Sequence, residues 1–157
     1  MKFGRLTASD RASAGIYEDK SGPEIEAAMG EVFADAAIEW ERALVPDDQS
    51  AIQDALRSMA DERGCSLIVT TGGTGPASRD ITPEATRAVI EKELPGFGEI
   101  QRVRTFDVAP TSILSRATAG VRGRCLIVNL PGRPAAVREC IAVLGPALRK
   151  AIEIIAG

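Results

Sequence analysis

Residues 70 to 83, Thr70-Thr71-Gly72-Gly73-Thr74-Gly75-Pro76-Ala77-Ser78-Arg79-Asp80-Ile81-Thr82-Pro83, concentrate the residue types that hold an anion. The segment starts where the apolar run Cys65 to Val69 stops and ends where a helix pattern begins. Gly72, Gly73 and Gly75 let the backbone approach a ligand closely and turn its N–H groups inward. Arg79 adds a fork suited to phosphate, and Asp80 a carboxylate suited to magnesium. Thr82-Pro83 reads as a helix N-cap and first helical residue, which brings a positive helix end nearby. A bare GGTG would be a steric turn. Arg-Asp and Thr-Pro in register favour an anion site.

The chain contains no histidine. Ser-His-Asp and Cys-His catalysis, imidazole metal sites and the usual base near neutral pH are therefore excluded. Carboxylates, Arg and Lys, hydroxyls, backbone amides and a hard metal ion remain. That inventory suits phosphoryl or nucleotidyl transfer, in which positioning and charge neutralisation carry most of the catalysis.

Two further turns fall where an open α/β sheet binds ligands, beyond the carboxyl ends of strands. One is Ser9-Asp10-Arg11-Ala12-Ser13-Ala14-Gly15, the other Asn129-Leu130-Pro131-Gly132-Arg133-Pro134. Pro46-Asp47-Asp48 follows a strand too and offers a carboxylate to the same rim. Asp47 also reads as a helix cap, and spacing alone favours the cap. Asp80 has a capping alternative, and Ser112 and Ser115 have one as turn residues. Arg122 and Arg124 read as a solvated strand face. No Walker loop and no GxGxxG after the first strand occur, so a bound nucleotide requires a different cradle.

These turns need elements to hold them. The 157 residues fit one domain spanning 1–157, and 45% hydrophobic with 26% charged residues is ordinary for a globular chain. No apolar stretch approaches a membrane span and no secretory pattern opens the chain. Cys65, Cys125 and Cys140 are odd in number and lack CxxC spacing. Reduced, buried thiols and a cytoplasmic location are expected. A net charge of −3 and six aromatic residues argue against nucleic acid as a partner.

A short strand is expected around Phe3, Leu6 and Ala8, weakened by Gly4 and Arg5. A helix follows from Ser21 to about Asp35, then a half-exposed strand over 36–45. The next helix carries Ile52, Leu56, Met59 and Ala60 on one face and stops at Gly64. Cys65 to Thr70 reads as a buried strand, Pro83 to about Glu93 as a helix, and Pro95-Gly96 as the start of another towards Phe106. Residues 110–116 form a turn-rich segment. Ala119 to Arg124 and Cys125 to Asn129 read as a hairpin arm and a core strand. The last helix runs to the C-terminus with a kink expected at Gly145-Pro146. Strands alternating with helices indicate a three-layer α/β/α sandwich.

Five separated motifs, in order, resemble those of the molybdopterin adenylyltransferases (MogA type, similar to the plant Cnx G domain). They are Ser9 to Gly15, TTGGTGPASRDITPEAT at 70–86, Leu94-Pro95-Gly96-Phe97-Gly98, Leu114-Ser115-Arg116, and Asn129 to Pro134. The resemblance covers nearly the whole chain. It implies a mixed, mainly parallel central sheet and a homotrimer. It also implies Mg2+- and ATP-dependent adenylylation of molybdopterin with release of pyrophosphate, the molybdopterin phosphate being the attacking group. Asp47 and Asp80 match the acidic positions the family treats as essential and would orient Mg2+. Ser9, Asp10, Thr71, Gly72, Gly73, Thr74, Gly75, Arg79, Ser112, Ser115, Asn129, Pro131 and Gly132 would bind substrate or nucleotide. A separate molybdate-insertion protein would be a transient partner. The alternative is a non-catalytic molybdopterin carrier of the same superfamily, against which two carboxylates beside an anionic ligand argue. Arg5 stands where relatives carry an aliphatic residue, which puts the burial of the first strand in question.

Overall fold

The computed structural model describes residues 1–157. Six strands form one sheet in the order β2-β1-β3-β6-β5-β4. They are β1 (Lys2–Ala8), β2 (Glu39–Val45), β3 (Leu67–Thr71), β4 (Lys92–Glu93), β5 (Ala119–Arg122) and β6 (Cys125–Leu130). The first four in spatial order run parallel; β5 is antiparallel to β6, and β4 to β5. The sheet is mixed and mainly parallel, as expected.

Period-two alternation distributes the core between two faces. Phe3, Leu67, Val69, Leu126, Val128 and Leu130 pack with α2 (Ser21–Val32) and α6 (Pro134–Ala156). Leu6, Ile68 and Ile127 pack with α3 (Gln49–Arg57) and α4 (Thr82–Val89). A short α1 (Asp10–Ser13) follows β1, and α5 (Gly96–Thr105) lies beside α6. The helix α6 runs unbroken through Pro146. All three cysteines are buried and free, and burial pushes the Cys65 thiol up to about 11 and those of Cys125 and Cys140 to about 12.

Arg5 does not expose β1. It donates to Glu26 at 2.7 Å and to Asp19 at 3.2 Å, and Arg42 on β2 grips the same Glu26. A charge inside the helix-covered face is thus neutralised by α2 and the loop before it. As a result β1 is buried along most of its length.

Two helix ends differ from the sequence expectation. The α2 helix stops at Val32 rather than near Asp35. The α4 helix stops at Val89, four residues short of the expected Glu93, and the chain extends into β4. Backbone pairing explains the second difference. Glu91 N donates to Val121 O at 2.8 Å and Leu94 N to Ala119 O at 2.7 Å. Gly120 makes room for that approach, since a Cβ there would stand 2.6 Å from Lys92 O.

Candidate functional site

Four parallel strands end in register on one rim, with Ala8 opposite Val45, Thr7 opposite Thr71, and Thr71 opposite Leu130. The turns that follow therefore converge. Ser9 caps α1 by accepting from Ala12 N at 3.1 Å, which turns the chain sharply and presents Asp10. Asp10 and Asp47 then join the first two turns reciprocally. Asp10 N donates to the Asp47 carboxylate and Asp47 N donates to the Asp10 carboxylate, both at 3.0 Å.

The cap of α3 is Asp48, which accepts from Ala51 N at 2.8 Å. The capping reading of Asp47 is thereby corrected. With the neighbouring carboxylate at the cap, Asp47 is free to face the glycine loop. A Cβ on Gly73 would lie 3.3 Å from Asp47 Oδ1. Burial raises the Asp47 pKa, and the Asp10 and Asp80 charges push the same way against the Asp10 amide and Arg79.

Arg79 is engaged within the protein. Its Nε and Nη2 donate to the two Asp10 oxygens at 3.0 and 2.8 Å, so the expected phosphate fork grips a carboxylate here. Those bonds, followed by the Asp47 amide, hold the Asp10 carboxyl below its usual range. Asp80 folds back over its own turn, accepting from Ala77 N at 3.0 Å, and a Cβ on Gly75 would stand 2.7 Å from its Oδ2.

The glycines are required by geometry. Gly72 and Gly73 have φ of +90° and +66°, and a Cβ on Gly72 would stand 2.3 Å from Ala8 O. The amides of Gly73, Thr74 and Gly75 donate to no acceptor within the protein. Three successive donors are thus unpaired within the protein. The helix start is shifted by one residue from the expected Thr82 cap: Ile81 occupies the N-cap without a side-chain bond. Thr82 is the first helical residue, and its hydroxyl is buried behind Gly73 without a partner.

Two small clefts flank this loop. One, of about 190 Å³, is lined by Thr74, Gly75, Ser112, Ser115, Pro131 and Arg133 among others. The other, of about 180 Å³, involves Ser9, Tyr17, Lys20, Ser21, Gly72 and Gly132. Ser112 Oγ donates to Arg102 O at 3.1 Å, and Ser115 Oγ accepts from Ala117 N at 3.3 Å. Ser115 thus makes the expected turn bond, Ser112 instead ties the turn to α5, and both line the first cleft. Pro131 and Gly132 close the rim from below by their carbonyls, which accept from Thr71 Oγ1 at 2.7 Å and Ser21 Oγ at 2.5 Å.

One expected ligand contact is corrected. Asn129 is fully buried, its amide donating to Thr70 Oγ1 at 3.0 Å and Thr86 Oγ1 at 2.9 Å while its oxygen accepts from Thr118 N at 3.3 Å. It cross-links β3, α4 and the approach to β5 and does not reach the rim. Thr71 is buried as well, its hydroxyl donating to Pro131 O, while its position at the end of β3 keeps it in the lining of the second cleft. Arg122 is also paired, to Asp61 at 2.6 Å, and so is not a merely solvated residue.

Sequence reasoning gave no separate role to Arg116. Its guanidinium donates to Gly75 O at 2.9 Å and Asp80 O at 2.7 Å and pairs with Glu84. Contacts 32 to 41 residues away leave no periodic trace, and only the adjacency to Ser115 could have flagged it.

Comparison with known proteins shows the family of the chain. The family model described as "Probable molybdopterin binding domain" matches residues 4–150. A molybdopterin adenylyltransferase of Helicobacter pylori strain J99 is 49% identical over 157 residues, covering 100% of this chain and 89% of the relative. The crystal structure of the molybdopterin biosynthesis enzyme MoaB of Thermus thermophilus is similar at TM-score 0.86 and 42% identity, covering 98% of this chain and 95% of that one. A structure of MogA reaches TM-score 0.89 at 37% identity, covering 99% of each chain.

Proposed function

We propose a catalytic arrangement for this chain, which belongs to the molybdopterin-binding domain family of molybdenum-cofactor biosynthesis. The chain is a nucleotidyltransferase, a molybdopterin adenylyltransferase. ATP is the proposed co-substrate and Mg2+ the proposed metal. A phosphate oxygen of molybdopterin attacks the α-phosphorus of ATP, a new P–O bond forms, the α–β bridging P–O bond breaks, and pyrophosphate leaves. The attacking phosphate is already anionic, so neither a protein nucleophile nor a histidine base is needed.

The single observation carrying this arrangement is that Asp48 takes the cap, leaving Asp47 turned to the loop that also holds Asp80. Hard carboxylate oxygens suit magnesium, which keeps waters and substrate phosphates in its shell. The raised Asp47 pKa fits as well: burial first, and then the Asp10 and Asp80 charges, disfavour the bare carboxylate, and a cation would offset that. Asp47 and Asp80 would hold the ion. When bound, Mg2+ supplies charge neutralisation to the triphosphate. The free amides of Gly73, Thr74 and Gly75 would receive a phosphate, and Ser112 and Ser115 would orient the pterin side of the substrate. Asp10 and Arg79 brace Asp47.

The carrier alternative is set aside by near-half identity over the full chain to a named adenylyltransferase. No helix is long and apolar enough to cross a membrane, which accords with the cytoplasmic location we propose. We also propose a homotrimer and handover of product to a separate molybdate-insertion protein. Val103, Phe106, Val108, Ile113 and Leu114 are exposed around α5 and the following turn, and Leu44 is exposed on β2. The cluster at 103–114 offers one apolar face for subunit contact, and closed heterologous contacts would pair it with a different face of the neighbouring copy. The deciding experiment incubates the protein with molybdopterin, ATP and magnesium and measures pyrophosphate and an AMP adduct. Tight molybdopterin binding without either product would refute the reading.

A further inference from the structure

The segment from Gly75 to Asp80 carries one of the two proposed catalytic carboxylates, and one side chain ties both of its ends. Arg116 lies between Ser115 and β5, on the stretch leaving the first cleft. Its backbone amide donates to Thr74 O at 2.8 Å. Nε donates to Gly75 O at 2.9 Å, Nη2 donates to Asp80 O at 2.7 Å, and Nη1 pairs with Glu84 in the first turn of α4. All three guanidinium nitrogens are therefore engaged by the protein.

The bonds within the segment close it only on itself: Asp80 N to Ala77 O and Ala77 N to the Asp80 carboxylate, both at 3.0 Å. Arg79 adds a tie to Asp10 from an exposed side chain. The carboxylate's place over the Gly75 backbone is set where the two carbonyls held by Arg116 meet. We infer that Arg116 is a positioning residue for adenylyl transfer, holding the Asp80 carboxylate against the glycine loop and coupling it to the Ser112–Ser115 turn. The inference rests on the adenylyltransferase reading. A planar fork of fixed donors can bridge two carbonyls and a carboxylate at once, and an ammonium on a flexible stem cannot.

The test compares Arg116→Met, Arg116→Lys and Glu84→Gln with the wild type. Steady-state adenylylation is measured with molybdopterin and Mg-ATP, and amide hydrogen exchange is followed at residues 77–80. Arg116→Met should lower kcat about 100-fold while both KM values stay within about 2-fold, because a misplaced group costs turnover and not ground-state binding. Arg116→Lys should recover part of the rate, leaving a loss of about 10-fold. Glu84→Gln keeps both carbonyl bonds and should remain within about 3-fold of wild type. Exchange at 77–80 should accelerate in both Arg116 variants and not in Glu84→Gln.

A folded Arg116→Met with kcat near wild type overturns the inference. So does an equal loss in Glu84→Gln, which would assign the effect to anchoring of α4, or a rise in KM in place of the fall in kcat. If Arg116→Met does not fold, unchanged kcat and exchange in Arg116→Lys overturn it equally. An inactive wild type would instead defeat the adenylyltransferase reading, and the exchange data would still report the clamp.

Discussion

Asp47 and Asp48 are adjacent carboxylates with opposite assignments, so exchanging each for a neutral residue should separate stability from turnover. Asp48→Ala removes the 2.8 Å bond to Ala51 N and leaves the first turn of α3 without a side-chain cap. Loss of an N-cap costs about 1 kcal/mol, and in a chain of this size about 1 kcal/mol lowers Tm by roughly 2–4 °C. Turnover should be unchanged. Asp47→Asn should behave conversely, since the amide oxygen can still accept from Asp10 N but the charge is gone. The folded pKa of Asp47 is raised, so its contribution to stability is present below the unfolded value and is lost as pH rises through the folded value. At neutral pH the charge therefore works against folding. Asp47→Asn should match or exceed the wild-type Tm at pH 7, and the gain should vanish as pH falls below the ordinary value of 3.8. Activity should fall by about 100-fold or more if Asp47 holds the metal. Thermal melts at pH 7 and in acid, with adenylylation measured on the same samples, provide the comparison. A destabilised but fully active Asp47→Asn beside a stable, inactive Asp48→Ala would refute the reasoning outright.

Asp80→Asn should keep the fold and lose most turnover, because its side chain can still accept from Ala77 N while no longer neutralising a cation; pyrophosphate release beside a melt checks this. Gly73→Val would place Cβ 2.3 Å from Thr82 Oγ1 at a φ of +66°, and a weaker molybdopterin affinity should appear in a binding titration. Glu26 is held below its usual range by Arg42, against burial and with help from Arg5. Its contribution is present above the ordinary 4.5 and lost as pH falls through the lower folded value. Glu26→Gln should thus cost up to about 1 kcal/mol near neutral pH, the difference closing in acid, as read from denaturant melts. Light scattering at micromolar concentration should report about three chain masses, and a stable, fully active monomer would reject the trimer alone.

Much of this architecture is legible in residue order, because the short apolar runs of β3 and β6 and the 3.6-residue pattern of α3 are local signals. The glycine loop was legible for the same reason, its unusual φ values being encoded by the residues that adopt them. What escaped depends on contacts distant in sequence or on a shift of one residue. Spacing favoured Asp47 as the cap, and the cap falls on Asp48, since either can follow a strand and precede a helix. Arg79 was a plausible phosphate fork until the fold brought Asp10 beside it. Asn129 sits in a motif that suggests a ligand, yet alternation along β6 turns its side chain inward, where three polar groups compete for it. The end of α4 was lost to pairing with β5, a tertiary demand that helix propensity does not report.

The position of β2 at the margin of the sheet has a consequence for how the protein fails. Within the sheet this strand pairs with β1 alone, and Asp47 is the second residue past its end. Marginal strands open at a lower free energy than central ones, by local fluctuation well short of global unfolding. Opening at Leu44 and Val45 would release Ser9 N from Val45 O and draw Asp47 away from Asp10 while β3 and β6 keep their pairing. Heat should therefore extinguish turnover at a temperature where the far-ultraviolet signal is still native, and a ligand that bridges Asp47 to the glycine loop should bring the two transitions back together.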